Sequence, residues 1–190
     1  MRIRRFLGLC SILVATVPSM ARAQDVKKVG ITMGYPAAVG VLWHVTDKVA
    51  IRPEIAFAGS STTTSGSGVD ISGDGWNIGT GVSAIFYLRK YDHLRTYVSP
   101  RFTYGHQSSS STTSGLPVSS GTSPTYSQTS ETFGGFGMFG AQYWLGDRFG
   151  VFGEFGFGAS HSSTKANISP TTGSGSGWGT RAGVGVVFYP

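Results

Sequence analysis

Apolar and polar residues alternate along several stretches of this chain with the two-residue period of a β-strand. Three stretches share one pattern, with apolar, aromatic, proline or glycine residues at the odd positions and a charge at the fourth: 51–57, 98–104 and 151–157. Because successive side chains of a strand point to opposite faces, each stretch has one oily face and one face with few ions. The second face carries mostly small residues. This pattern is typical of a narrow membrane β-barrel, whose outer face contacts lipid.

Turn residues divide the chain into segments of regular order. Short polar turns interrupt the alternation at three places: 46–48, 89–94 and 146–148. Longer segments rich in Ser, Thr and Gly lie between these turns, at about 60–75, 107–131 and 161–176. We interpret the longer segments as solvated loops because they have no apolar period. Strict alternation of short and long connections is typical of outer-membrane barrels, which have short periplasmic turns and long extracellular loops.

The remaining segments predict the strands. Six strands are expected at 49–59, 76–88, 95–106, 132–145, 149–160 and 177–189. The preceding segment, 28–45, forms one strand or two. A tight turn at 36–38 would make it two, which gives the even total that bacterial barrels have. The predicted fold class is therefore all-β, an eight-stranded antiparallel transmembrane up-and-down β-barrel.

Two prolines oppose a regular sheet at their positions. Pro53 and Pro100 each remove a hydrogen bond from a ladder within the closed sheet. We therefore expect a local bulge at each.

The first 23 residues have the features of a cleaved secretory signal peptide. Three arginines precede an apolar run at 6–17, and an A-x-A cleavage site follows at 21–23. We therefore expect a signal peptide at 1–23 and one barrel domain at 24–190, exported across the inner membrane to the cell outer membrane.

Cleavage of this segment changes the charge of the chain. The full sequence has 15 Lys and Arg against 9 Asp and Glu. Four of the arginines lie in the signal peptide, which leaves 11 basic residues against 9 acidic ones. Nucleic acid is therefore not an expected partner. The only cysteine, Cys10, is removed too, and the four histidines have no ligand-type spacing, so no cofactor or metal is expected.

Aromatic residues gather near the ends of the predicted strands, where rings lie at lipid headgroups. They form two predicted girdles, with Trp43, Tyr143 and Phe149 near the short turns and Phe57, Trp76, Tyr104, Phe157 and Trp178 near the loops. Outer-membrane lipid and lipopolysaccharide are therefore expected partners, and the expected state is a monomer. The alternative is a soluble barrel with scattered exposed aromatic residues.

Charged residues also fall on the predicted lumenal face: Arg52, Glu54, Arg101, Glu154 and Arg181. The same face holds His44, Tyr97 and Gln142. We expect the ions to pair, because an isolated ion in a narrow interior is costly. We favour the interpretation that they fill and stabilise the barrel, because eight strands leave room for side chains and not for a wide channel.

The chain resembles the small OmpA-like (OmpA/OmpX-type) outer-membrane β-barrel proteins over residues 24–190. The resemblance rests on the signal peptide, the order of turns and loops, the Val-Ala-Ile-Arg-Pro-Glu opening at 49–54 and the aromatic-rich last strand. It implies assembly by the barrel-assembly machinery and periplasmic chaperones. It also implies a salt-bridge network that switches partners to open a narrow pore. The last strand departs from the family because Tyr189 and Pro190 follow Phe188, and the peptidoglycan-binding domain is not expected here.

An enzymatic interpretation rests on two histidines beside serines, His106-Gln107-Ser108 and His161-Ser162. Small outer-membrane barrels include lipid A deacylases with a His/Ser site, and such a site needs a third group to orient the histidine. Glu131 is the nearest acid by position, but serine is so abundant that adjacency is expected by chance. We therefore expect no enzyme and no catalytic residue.

Three functions follow, in order. The first is a structural or surface-interaction role, in envelope integrity or adhesion, through the Ser/Thr/Gly-rich loops. The second is a narrow pore gated by the lumenal Arg/Glu network. The third is a lipid A-modifying enzyme.

Overall fold

The structure is a computed structural model that describes residues 29–35, 38–66, 68–114, 125–167 and 172–190. Eight antiparallel strands form one closed barrel in chain order, with the first strand paired to the last. The strands are β1 (Val29–Tyr35), β2 (Ala38–His44), β3 (Val49–Gly66), β4 (Val69–Lys90), β5 (Leu94–Ser114), β6 (Thr125–Trp144), β7 (Phe149–Ala166) and β8 (Thr172–Phe188). The predicted fold class is confirmed, and segment 28–45 contains two strands.

Two predicted features fall on other parts of the chain. The signal peptide at 1–23 and residues 36–37 of the predicted tight turn lie outside the described residues. Within the described ranges, no helix is long and apolar enough to cross a membrane.

Side chains alternate between the lumen and the outside along each strand. In β5, for example, Tyr97, Ser99 and Arg101 are buried, whereas Val98 and Phe102 are exposed. Because the sheet is closed, the buried positions face the lumen and the exposed apolar positions form a continuous outer belt. A belt of exposed Val, Ile, Phe and Trp of this size is incompatible with water and fits a lipid environment.

The interpretation of the Ser/Thr/Gly-rich segments as loops is wrong. Strands β3 to β8 are 17–22 residues long and continue through most of 60–75, 107–131 and 161–176. Pairing runs on to Gly66↔Val69 in one hairpin and to Thr112↔Thr125 in the next. Both faces of these extensions contact water, so no apolar period marks them. The barrel sets the register, and threonine suits the extended backbone.

The prolines interrupt the ladders without shifting their register. Between β2 and β3, the described pairs pass from Gly40↔Glu54 to Trp43↔Ile51, skipping the pair opposite Pro53. The β4–β5 ladder skips the pair opposite Pro100 in the same way. The expected bulges are therefore absent from both described ladders, and the irregularity in β4–β5 lies between Tyr87 and Arg89.

The two ends of the barrel differ. At the turn end, where the connections 45–48, 91–93 and 145–148 lie, the lumen is filled by a small core: Leu42, Ala50, Ile85, Tyr97, Val187 and Tyr189. At the hairpin end, the three long strand pairs extend past the apolar belt. Ions occupy the lumen between these two regions.

Candidate functional site

Four of the five predicted lumenal ions meet in one network. Glu154, on β7, is its centre. Its carboxylate accepts hydrogen bonds from Arg52 Nη2 at 2.7 and 2.8 Å, from Arg101 Nη1 at 2.7 Å and from the Tyr97 hydroxyl at 3.2 Å. Two other strands, β3 and β5, thus contribute donors to one acceptor across the lumen.

Glu54 completes a ring of alternating charges. Its carboxylate lies 3.1 Å from Arg52 Nε and also pairs with Arg101 Nη2. Each arginine therefore contacts both glutamates, and each glutamate contacts both arginines. We call Arg52, Glu54, Arg101 and Glu154 the charge ring. Its formal charge is zero and its side chains are at most 9% exposed, so the attraction between neighbours offsets the high cost of desolvation.

Arg181, the fifth predicted ion, lies outside the charge ring. Its guanidinium carbon is 5.5 Å from the centre of the Phe136 ring. Among the described residues, no carboxylate oxygen lies within 4.0 Å of its guanidinium nitrogens. The prediction that all five ions pair is therefore wrong for Arg181.

Glycines make room for both carboxylates of the charge ring. Each glutamate has a glycine directly opposite on both neighbouring strands: Gly40 and Gly81 for Glu54, and Gly140 and Gly183 for Glu154. A Cβ atom at Gly40 would lie 2.9 Å from Glu54 Cγ. Sequence reasoning missed these residues, although a glycine at the lumenal position of each adjacent strand is a readable signal.

A layer of aromatic side chains lies below the charge ring at the turn end. The His44 Nε2 and Tyr189 hydroxyl atoms are 2.7 Å apart, and the His44 ring stacks on Tyr87 at 5.5 Å. Trp144 packs on Tyr189 at 5.1 Å, and Tyr87 meets Tyr97 edge-on. We call these five residues the aromatic layer. Together with the charge ring, it fills the lumen across its width.

Tyr189 explains the unusual end of the last strand. Its side chain is 1% exposed and turns into the lumen, while its backbone nitrogen donates to the Arg148 carbonyl at 2.8 Å. Phe188 remains the last outward-facing residue of β8. The aromatic end of the family pattern is thus kept on the lipid side, and the extra tyrosine closes the lumen.

Replacing Tyr189 with phenylalanine should lower the free energy of unfolding by about 1 kcal/mol, the worth of one hydrogen bond. The ring packing on Trp144 would remain, but His44 would lose its partner. Urea unfolding of the refolded barrel in phosphatidylcholine vesicles measures the change. Tyr143→Phe, on the exposed outer face, is the matched control and should be neutral. Equal stability of Tyr189→Phe and wild type would contradict the role of the hydroxyl.

The predicted girdle residues lie at two levels of the outer face. All except Tyr104 are exposed; Trp178 is 80% exposed and packs on Phe157, and Tyr104 packs on Phe133 at 4.9 Å. Immediately beyond the girdle near the hairpins, the outward positions become small or polar: Gly59, Asp74, His106, Glu131, His161 and Ser176. This change of chemistry marks the upper edge of the apolar belt.

The two His/Ser pairs do not form a nucleophilic site. His106 Nδ1 lies 3.8 Å from Glu131 Oε1, which is too long for a hydrogen bond, and no described contact joins His106 to Ser108. His161 Nδ1 is bonded to Ser176 Oγ at 2.9 Å instead of to Ser162. In the described part of the chain, no three His, Cys, Asp or Glu residues are grouped to hold a metal ion.

Known structures share this architecture at low sequence identity. A major outer-membrane protein from Thermus thermophilus matches with a TM-score of 0.51 and 13% identity, covering 85% of this chain and 98% of its own. The fold is that of a small outer-membrane β-barrel. Two weaker matches are CarO2 from Acinetobacter baumannii (TM-score 0.44, 13% identity, 86% and 97% covered) and Ail, the attachment invasion locus protein of Yersinia pestis (0.39, 16%, 84% and 91%). Neither a protein-family model nor a curated protein sequence matches the chain.

This small OmpA/OmpX-like barrel therefore belongs in the outer membrane. The outer apolar belt provides the lipid-facing surface that the fold requires, and the turn end corresponds to the periplasmic side of such barrels.

Proposed function

We propose that this outer-membrane barrel is a closed surface protein whose hairpins contact the exterior of the cell, in adhesion or in maintaining the envelope. The observation that carries the proposal is the length of the strands. At about 3.3 Å per residue and a tilt of about 40°, the 22 residues of β4 rise about 55 Å, whereas the apolar band of such a barrel is about 25 Å tall. A paired, extended wall therefore projects into water.

The projecting hairpins are more ordered than flexible loops would be. Side chains join neighbouring strands there, as in the 3.1 Å contact between the Thr112 and Thr125 hydroxyls. Asn167 is tied to β6 by its backbone and its side chain, with 2.8 Å between its Oδ1 and the Ser127 nitrogen. Ordered hydroxyl groups lose little conformational entropy on binding, which favours a surface-interaction role.

The chemistry of the hairpins favours an uncharged, hydrogen-bonding partner. Beyond the outer girdle, the described residues include three acidic side chains, Asp70, Asp74 and Glu131, and one lysine, Lys165. Serine and threonine hydroxyls dominate the rest. We propose that the hairpins contact neutral glycans or hydroxyl-rich surfaces, because such groups exchange hydrogen bonds with hydroxyls without needing charge.

The closed lumen supports a non-conducting resting state. Ions or solutes would have to displace both the charge ring and the aromatic layer, whose Tyr97 and Tyr189 side chains are almost fully buried. The gated pore remains the competing hypothesis. No enzymatic role is proposed, because neither His/Ser pair has the geometry for it.

Envelope partners follow from the same surfaces. We propose that the aromatic girdles contact outer-membrane lipid and lipopolysaccharide and that the barrel acts as a monomer. The outward-facing Phe188 at the end of β8 supports recognition by the barrel-assembly machinery after delivery by periplasmic chaperones.

Shortening all three hairpins should abolish cell attachment without unfolding the barrel. Residues 61–74, 109–128 and 163–174 would each be replaced by an Asn-Gly turn, since Ser60 pairs with Gly75, Ser108 with Thr129 and Ser162 with Gly175. Attachment of expressing Gram-negative cells to glycan-coated and bare surfaces is the measurement. Heat-dependent mobility on gels verifies folding.

The control for this experiment is the lumen. Arg101→Gln leaves the hairpins intact and should attach as wild type does, and wild-type residues 24–190 should be silent in a planar bilayer. Full attachment by the shortened barrel would overturn the surface role. Discrete conductance steps that change in Arg101→Gln would favour the gated pore.

A further inference from the structure

The lumen contains a cavity on the hairpin side of the charge ring. Its volume is about 460 Å³, within the range of about 300–1,000 Å³ typical of small-molecule sites. Small and polar residues line its walls, among them Asn77, Thr103 and Thr132, and the side chains of Glu54, Arg101 and Arg181 also border it. The cavity therefore combines hydroxyl and amide groups with two guanidinium groups.

The positive charge in this cavity is not balanced. Both glutamates of the charge ring are occupied by Arg52 and Arg101. Arg181 adds a third cation to two anions, so the five lumenal ions carry a formal charge of +1. The described residues supply no carboxylate to Arg181, and its nearest aromatic partner, Phe136, leaves the hydrogen-bonding nitrogens of the guanidinium available.

The register places the second arginine beside the first. Phe136 lies directly opposite Arg101 in the β5–β6 ladder, and the Arg181 guanidinium lies over the same ring. Two guanidinium groups thus flank one aromatic side chain at the border of the cavity. A guanidinium presents paired N–H donors that match the oxygens of a carboxylate or a phosphate.

We propose that this cavity binds a small soluble anion through its carboxylate or phosphate group, with Arg181 as the principal donor. Thr103, Thr132 and Asn77 supply further hydrogen bonds from the walls. The anion enters from the hairpin end, because the closed ring of strands separates the lumen from the lipid phosphates. This inference concerns the lumen and does not depend on what the hairpins bind.

Nuclear magnetic resonance of the refolded barrel in a zwitterionic detergent provides the test. The arginine Nε–Hε signals are followed while inorganic phosphate or acetate is added at constant ionic strength, with chloride as the reference salt. We expect the Arg181 signal to shift and saturate with phosphate, acetate or both, which also tells the two anion types apart. Arg181→Gln should weaken binding at least about tenfold, because charged hydrogen bonds are lost.

Matched variants separate the site from general charge. Lys165→Gln removes the same charge from the outer face and should bind as wild type does. Arg181→Lys retains the charge without the paired donors and should bind more weakly than wild type, which provides a second variant if Arg181→Gln does not fold. An Arg181 signal that does not saturate in wild type, or equal affinity in Arg181→Gln and Lys165→Gln, would overturn the proposal.

Discussion

Replacing Glu154 with glutamine is expected to lower the free energy of unfolding by about 3–5 kcal/mol, the cost of leaving buried charges without a partner. Glu154 accepts from Arg52, Arg101 and Tyr97, and its side chain is 2% exposed. Glutamine has nearly the same shape but no charge. Two arginines would then share Glu54 alone, and the lumen would gain an uncompensated positive charge.

Urea unfolding in lipid vesicles measures this change. Glu131→Gln is the matched control, since Glu131 is half exposed on the outer face and its contact with His106 is long. We expect the control to change stability by less than about 0.5 kcal/mol, as is usual for surface positions. If Glu154→Gln unfolded at the urea concentration of the wild type, the charge ring would not stabilise the barrel.

Glu54→Gln should act in the same direction but less strongly. Glu54 is more exposed than Glu154 and contacts two donors instead of three. The ranking of the two variants therefore tests the contacts of the charge ring individually.

The phase of each strand could be predicted from sequence because the side-chain period is two. Alternation alone assigned Arg52, Glu54 and Arg101 to one face, and the structure has them on the lumenal side. Parity also divided segment 28–45 into two strands. A one-residue error in either case would have turned an apolar row into the lumen, so the pattern is strongly constrained wherever one face meets lipid.

Parity does not reveal which lumenal residues lie at the same height. That depends on the register between all eight strands, which the apolar pattern does not encode. Arg181 illustrates this, because it has the correct parity but lies beside Phe136 and outside the charge ring. Tyr189 was missed for a different reason: it follows the last strand, where alternation no longer applies.

The hairpins show the complementary limit. A strand with water on both faces has no apolar row, so its sequence resembles that of a loop. The extensions are strands because the ladder continues from the barrel, as at Ser108↔Thr129. Local composition therefore predicts solvation correctly there and backbone conformation incorrectly.

Replacing Gly156 with alanine should be the most damaging small substitution in the barrel wall, with a loss of about 3 kcal/mol from overpacking. Gly156 lies in β7 opposite Met138 on one side and Arg181 on the other. A Cβ atom there would lie 2.6 Å from Met138 Sδ, 2.8 Å from Met138 Cα and well inside contact distance of the Gly137 carbonyl oxygen. Side-chain rotation cannot relieve contacts with backbone atoms, so β6 and β7 would have to separate.

Two alanine variants control for the loss of glycine itself. Gly153, on the same strand, and Gly179, on the lumenal face of β8, have no atom within 4 Å of the position that an added Cβ would occupy, so both variants should be neutral or slightly stabilising. Urea unfolding compares all three. Equal stability of Gly156→Ala and the controls would mean that β6 and β7 have more room than the structure shows. A loss confined to Gly156→Ala would show that the close approach of these strands fixes the wall from which Arg181 and Glu154 reach the lumen.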